Sequence, residues 1–225
     1  MEYRLWLTRT RRSVYSSALA KYKTGLAALL CIGVLAGVSL FLLKPASLTD
    51  LSQGHNAATA GLNLHWAKGD MIVLVRHVER CDHSSAPCLS GTDGITVRGK
   101  EVAQQVGLQF HTLGLERTDI YSSPVTRAAQ TSTFMFNYAS ANEEWLSNCR
   151  QNIVRDALQH KVKDRNLILV THSECISQFE KDIKLPASGT PGYGSALFVT
   201  VDENAPLPHA LGFIDANDWS KVLRN

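Results

Sequence analysis

The sequence predicts an α/β fold: a three-layer αβα sandwich with a mostly parallel central sheet, preceded by one N-terminal transmembrane or signal-anchor helix. Three observations lead there. A continuous apolar run, Met71-Ile72-Val73-Leu74-Val75, ends in Arg76-His77. A second run, Leu167-Ile168-Leu169-Val170, ends in Thr171-His172. Segments of helical periodicity lie between them, and strands alternating with helices build a parallel sheet covered on both faces.

The elements follow in chain order. Residues 25–43 read GLAALLCIGVLAGVSLFLL, without a charge. At about 1.5 Å per residue this stretch nearly spans a hydrocarbon core of about 30 Å. Seven Lys and Arg against one Glu give residues 1–44 a net charge of +6. That basic flank places residues 1–23 in the cytoplasm and residue 45 onward outside. Leu43-Lys44-Pro45-Ala46 is a poor cleavage context, so an uncleaved anchor over 24–43 is favoured over a removed signal. Residues 44–68 are mixed and polar and read as a tether; residues 69–225 read as the folded domain.

Within that domain Met71–Val75 is expected to be a strand buried on both faces, and residues 81–94 a polar loop. Thr96 is placed to cap a helix running to about Leu113, with Val102, Val106, Phe110 and Leu113 on one face and Gly114 ending it. A short strand near 119–121 leads to Ser122-Ser123-Pro124, where proline suits the first turn of a helix reaching about Tyr138. Residues 139–149 are an irregular link. A helix near 149–161 pairs Ile153 with Ala157 and Val154 with Leu158. After the second buried strand, residues 173–184 are helical, and strands are expected at 196–201 and 209–214.

The basic balance belongs to the N-terminal head. The rest of the chain carries 16 Lys and Arg against 19 Asp and Glu, a net of −3. A nearly neutral domain argues against nucleic acid as the partner, because affinity for a phosphate backbone needs a basic face. Of five cysteines, Cys31 falls in the apolar segment. Cys81, Cys88, Cys149 and Cys175 suit an oxidising compartment and two disulfides. Four cysteines allow three pairings; the favoured one joins Cys81 to Cys88, closing a short loop, and Cys149 to Cys175. Metal binding is the rival reading, and the chain lacks both Cys-x-x-Cys and a His pair at ligand spacing.

The chemistry is legible at the strand ends. Two strand-then-histidine units flank a strand-then-arginine unit, Ile120-Tyr121-Ser122-Ser123-Pro124-Val125-Thr126-Arg127. Open α/β sheets place their sites at the carboxyl ends of neighbouring strands. Arg76 and Arg127 are suited to hold phosphoryl oxygens in a fork. His77 and His172 supply one nucleophile and one hydrogen-bond donor. Nothing at the strand ends resembles a metal cage, so charge is neutralised by side chains and no cofactor is expected.

Arg76-His77-Val78-Glu79-Arg80 resembles the Arg-His-Gly-Glu signature of the histidine phosphatase (phosphoglycerate mutase-like) superfamily. Ile95-Thr96-Val97-Arg98-Gly99, Ser122-Ser123-Pro124-Val125-Thr126-Arg127-Ala128 and Val170-Thr171-His172 resemble its later segments, in the same order, over roughly residues 70–200. The resemblance implies a metal-independent phosphatase in which His77 is the nucleophile, forming a phosphohistidine that water hydrolyses. Arg76, Arg127 and His172 then bind the phosphoryl group. The Glu79–Asp82 run, Cys88-Leu89-Ser90 and Gly94-Ile95-Thr96-Val97 are similar to the bacterial lipopolysaccharide core heptose(II)-phosphate phosphatases. That likeness implies a phosphorylated core sugar as substrate, a periplasmic location, and attachment to the inner membrane through the N-terminal helix or release after signal cleavage. The alternatives are a phosphatase of other phosphosugars or phosphoproteins, and a catalytically inactive membrane-tethered phosphate-binding module.

The chain departs from the superfamily pattern at Val78 and Ser173, where glycine is usual, and in its general acid. No acid follows Leu146 closely; Glu174 and Glu144 are the candidates, while Glu79 is expected to pair with nearby arginines. His83, in the Cys81–Cys88 loop, is the one further histidine expected to border the pocket. Gly94–Glu101 imitates a Walker A loop but lacks its Ser/Thr and its preceding strand.

Overall fold

The computed structural model describes residues 25–27, 29–34, 48–150, 152–186 and 189–222. The chain divides into two units, residues 1–46 and residues 47–225. In the first, residues 25–27 and 29–34 are helical, with Leu26, Leu29, Leu30, Ile32 and Val34 exposed. The expected basic head and much of the expected membrane segment lie outside the described residues. Among the described residues no helix is long and apolar enough to cross a membrane.

The second unit is an α/β fold around a six-stranded sheet. Its strands are β1 (Met71–Arg76), β2 (Thr118–Ser122), β3 (Ala141–Asn142), β4 (Asn166–Thr171), β5 (Ala196–Thr200) and β6 (His209–Ile214). They lie in the order β3-β2-β4-β1-β5-β6. The first four are mutually parallel; β5 runs antiparallel to β1, and β6 antiparallel to β5. This mixed edge refines the expected sheet. An apolar run carries no direction, but the link at residues 201–208 does. It is shorter than the dozen or so residues that a parallel crossover requires.

The helices are α1 (Asn56–Thr59), α2 (Leu62–Lys68), α3 (Val97–Leu113), α4 (Thr126–Phe136), α5 (Ile153–His160), α6 (Ser173–Asp182) and α7 (Trp219–Val222). Successive strand residues face opposite sides. Met71, Val73 and Val75 therefore join one core with Phe110, Phe136, Phe198 and Trp219, while Ile72 and Leu74 join a second with Ile153, Ile176 and Phe179. Both central strands are buried throughout their apolar runs, as expected of strands covered twice. Thr96 caps α3 as expected, its hydroxyl accepting from the Gly99 N–H at 2.9 Å. Where α3 passes α4, a Cβ on Gly107 would stand 1.9 Å from the Met135 carbonyl oxygen, so this crossing requires glycine.

The expected tether is folded from residue 48. The Leu51 N–H donates to the Phe213 carbonyl at 2.9 Å, Leu51, Leu62 and Trp66 are buried, and Trp66 Nε1 donates to the Gly114 carbonyl at 2.9 Å. Three large apolar side chains seal the edge of the first core, which outweighs the polar composition around them. Cys81 is bonded to Cys88 and Cys149 to Cys175, each with Cα atoms 5.4 Å apart.

Candidate active site

The register of the parallel strands brings the three sequence units level. Arg76 pairs with Thr171, and Ser122 with Val170. The ladder continues one step further: the His77 N–H donates to the Thr171 carbonyl and the Ser123 N–H to the Val170 carbonyl, each at 2.9 Å. His77, His172 and Ser123 thus emerge side by side at the carboxyl ends of β1, β4 and β2. The first turn of α4 adds Arg127 beside them.

His77 is 3 % exposed. Its Nδ1 stands 2.8 Å from the Val78 carbonyl oxygen, which can only accept, so the ring proton sits on Nδ1. Nε2 keeps its lone pair, and Arg127 Nε–H donates to it at 3.2 Å. Burial lowers the imidazole's proton affinity, to a pKa of about 3, and the charges of His172, Arg127 and Arg76 act in the same direction. The result is a neutral imidazole whose Nε2 lone pair faces a cation.

His172 is 5 % exposed and its ring centroid lies 5.3 Å from that of His77. Ser123 Oγ accepts from the Val125 N–H at 3.3 Å and lies 2.9 Å from His172 Nε2. With the hydroxyl donating to Nε2, the imidazole proton sits on Nδ1. Burial, then Arg127, lowers this ring to a pKa of about 4. Among the described residues neither His172 Nδ1 nor Arg76 Nε has a hydrogen-bond partner.

Arg76 is held from the 189–195 loop. Its Nη1 donates to the Pro191 carbonyl at 2.5 Å, and its guanidinium lies 3.9 Å from the centroid of the Tyr193 ring. Tyr193 also flanks His77, with centroids 5.7 Å apart. Arg127 Nη1 donates to Asp93 Oδ1 at 2.9 Å. Arg80 forks onto Asp82 and is near enough for its charge to act on Arg76 and His172.

The carboxylates separate clearly. Arg98 forks onto Glu79, and Thr96 Oγ1 donates to it at 2.8 Å. The Arg98 bond, above all, holds Glu79 at a pKa of about 2, a fixed carboxylate that ties the β1 loop to α3. Glu174 sits in the first turn of α6, beside His172. Burial works to raise its carboxyl, but its own N–H, the Ser173 hydroxyl and the charges of His172 and Arg127 keep it below the usual range. Glu144 is exposed on the 3-10 turn Glu144–Leu146. His83 is exposed on the turn Cys81–His83.

The departure at Val78 has a physical answer. Val78 is buried, its N–H donates to Thr131 Oγ1 at 3.1 Å, and its methyls face Gly99 and Gly194. Two other glycines make room for the side chain inside the core. Sequence reasoning missed Ser123 as the partner of His172, and also Asp93 and Tyr193. Ser123 stood within a quoted motif, Asp93 within Ser-Gly-Thr-Asp-Gly, which reads as a turn, and Tyr193 between two glycines.

No family model matches the chain. The lipopolysaccharide core heptose(II)-phosphate phosphatase of Escherichia coli strain K12 is 35% identical over 137 residues, 59% of this chain and 67% of that protein. Its counterpart in strain HS (O9:H4) is 34% identical over the same length. By fold, the chain is similar to the protein histidine phosphatase SixA complexed with tungstate, with a TM-score of 0.51, 14% identity, and 66% of this chain and 98% of that chain covered. A mutant phosphoserine phosphatase from Entamoeba histolytica, in complex with phosphoserine, also gives 0.51, at 15% identity, with the same coverage. With level histidines at two parallel strand ends and this likeness, the chain belongs to the histidine phosphatase superfamily. Within it, the two Escherichia coli relatives above carry the heptose(II)-phosphate name.

Proposed function

We propose that this protein hydrolyses phosphomonoesters through a phosphohistidine on His77 Nε2, and that its substrate is a heptose phosphate of the lipopolysaccharide core. One observation carries the chemistry: a neutral, buried imidazole offers its lone pair to the Nε–H of Arg127 at 3.2 Å. A phosphoryl group entering between them meets a nucleophile that needs no deprotonation and a cation already in place. Arg76 and Arg127 hold the equatorial oxygens, and the His172 Nδ1–H donates to the charge that develops there. Water then attacks the phosphohistidine.

The substrate assignment rests on the curated relatives. Two disulfides fit an oxidising compartment, and the basic, then apolar N-terminal sequence fits attachment to the inner membrane facing the periplasm. The test is phosphate release from phosphorylated core oligosaccharide, measured against a panel of phosphosugars and phosphopeptides with wild type and His77→Ala. A higher kcat/KM on the core heptose phosphate, lost in His77→Ala, supports the reading. Equal or better turnover of the panel removes the heptose assignment, and activity retained by His77→Ala removes the mechanism.

A further inference from the structure

A phosphomonoester needs a proton for its departing oxygen, and the two acids expected from sequence are poorly suited. Glu174 is held by its own N–H and the Ser173 hydroxyl, bonds that favour the charged form. Glu144 is exposed on a turn beyond β3. A third carboxyl is better placed. Asp93 Oδ1 accepts from Arg127 Nη1 at 2.9 Å, while Nε–H of the same guanidinium donates to His77 Nε2 at 3.2 Å. One rigid plane therefore spans nucleophile and carboxyl.

The two ends of that plane differ in depth. His77 is 3 % exposed, and the Asp93 side chain 58 %. In-line displacement sends the leaving oxygen away from the nucleophile; His77 lies at the buried end of that guanidinium and Asp93 at its exposed end. The loop that carries Asp93 is held by α4 itself. Gln130 Nε2 donates to Ser90 Oγ at 2.8 Å, and Gln130 Oε1 accepts from the Ile95 N–H at 2.9 Å. The helix that supplies Arg127 thus fixes both ends of the Asp93 turn.

We propose that Asp93 is the proton donor, and then the base, of the phosphatase reaction; this rests on the function proposed above. In the free protein its carboxylate pairs with Arg127. A phosphoryl dianion that takes over Arg127 leaves two negative groups adjacent, and a proton on Asp93 relieves them. The His77 Nε2 lone pair then forms the N–P bond while the P–O bond to the sugar breaks. The sugar oxygen keeps that electron pair and takes the Asp93 proton, leaving an alcohol and a carboxylate. In the second half, Asp93 removes a proton from water as its oxygen bonds to phosphorus. The N–P bond breaks with its electrons returning to Nε2, so phosphate and the protonated carboxyl result.

The test compares leaving groups. Wild type, Asp93→Asn and Glu174→Gln, as full-length oxidised protein, are assayed on 4-nitrophenyl phosphate and on an alkyl phosphate. The nitrophenolate leaves unaided; the alkoxide does not. General acid catalysis contributes about 10²–10⁴-fold, and kcat/KM reports only the steps up to the phosphohistidine, so Asp93→Asn is expected to lose at least about 100-fold in kcat/KM on the alkyl ester and about threefold or less on the aryl ester. Equal losses on both esters, or a rise in KM alone, overturn the proposal by making Asp93 a partner of Arg127 only. The same selective loss in Glu174→Gln, with Asp93→Asn unaffected, also overturns it. Absence of turnover by wild type on every monoester counts instead against the phosphatase reading itself. Asp93 is exposed, so matching thermal midpoints check that all variants are folded.

Discussion

In the proposed mechanism Arg127 is where nucleophile, phosphoryl group and Asp93 meet, and replacing it with lysine tests that junction. Lysine keeps the positive charge but presents one ammonium in place of a planar fork. The guanidinium, 15 % exposed at its side chain, makes two directed bonds, Nε–H to His77 Nε2 and Nη1–H to Asp93 Oδ1. An ammonium cannot reproduce both. A hydrogen bond from a charged group contributes about 1.5–3 kcal/mol. Losing one such bond, at about 1.4 kcal/mol per tenfold, predicts a fall of roughly 10–150-fold in kcat/KM for Arg127→Lys. Arg127→Ala also removes the charge. A unit pair at about 4 Å and an effective dielectric of about 20 interacts by about 4 kcal/mol, which adds roughly a further 10²–10³-fold. Steady-state hydrolysis of 4-nitrophenyl phosphate gives both ratios, with thermal midpoints confirming the fold. Arg127→Lys within about threefold of wild type would refute the fork argument, and Arg127→Ala matching Arg127→Lys would refute the charge argument.

Four further outcomes follow from the same structure. His77 and His172 are held at about 3 and about 4, mainly by burial, so ring proton shifts followed by NMR should show both neutral down to about pH 5; a midpoint near 6.5 for either contradicts their environment. Because both folded values lie below the unfolded one, the unfolded chain binds more protons there, and stability is expected to fall from about pH 6.5 through 4 to 3; a flat profile in urea unfolding would contradict this. Breaking Cys149–Cys175, which spans 26 positions, should cost about 3.5 kcal/mol in the loop-entropy model, against about 2.4 for the seven positions of Cys81–Cys88; the reverse order in serine-pair variants would refute that ranking. Gly107→Ala drives a Cβ into the Met135 carbonyl and should destabilise by about 1–3 kcal/mol or more, whereas an unchanged urea midpoint would show that α3 and α4 can separate freely.

The strand ends were readable because their chemistry sits beside the strongest patterns in the chain. Apolar runs buried on both faces located β1 and β4, and the histidine after each needed no long-range information. The disulfides pair as expected. Other features depend on contacts that spacing does not encode. Two-residue β3 has no apolar run and is defined only by pairing with Tyr121 and Ser122. The lead-in at 48–68 folds because Leu51, Leu62 and Trp66 find the edge of a core built by distant elements. Ser123 could be quoted in a motif, but its bond to His172 crosses 49 positions. Asp93 looked like a turn residue, and only the placement of α4 sets it against Arg127. Val78 departs from the superfamily pattern without disturbing the pocket, since Gly99 and Gly194 accommodate its methyls.

The measurement that bears most directly on the central claim is chemical trapping of the intermediate. Full-length oxidised protein is mixed with a 32P-labelled phosphomonoester, quenched in alkali within its first turnover, and mapped by peptide. The account predicts alkali-stable, acid-labile label on the peptide containing His77, and no label or turnover in His77→Ala. Label on another residue, or undiminished hydrolysis by His77→Ala, would contradict it.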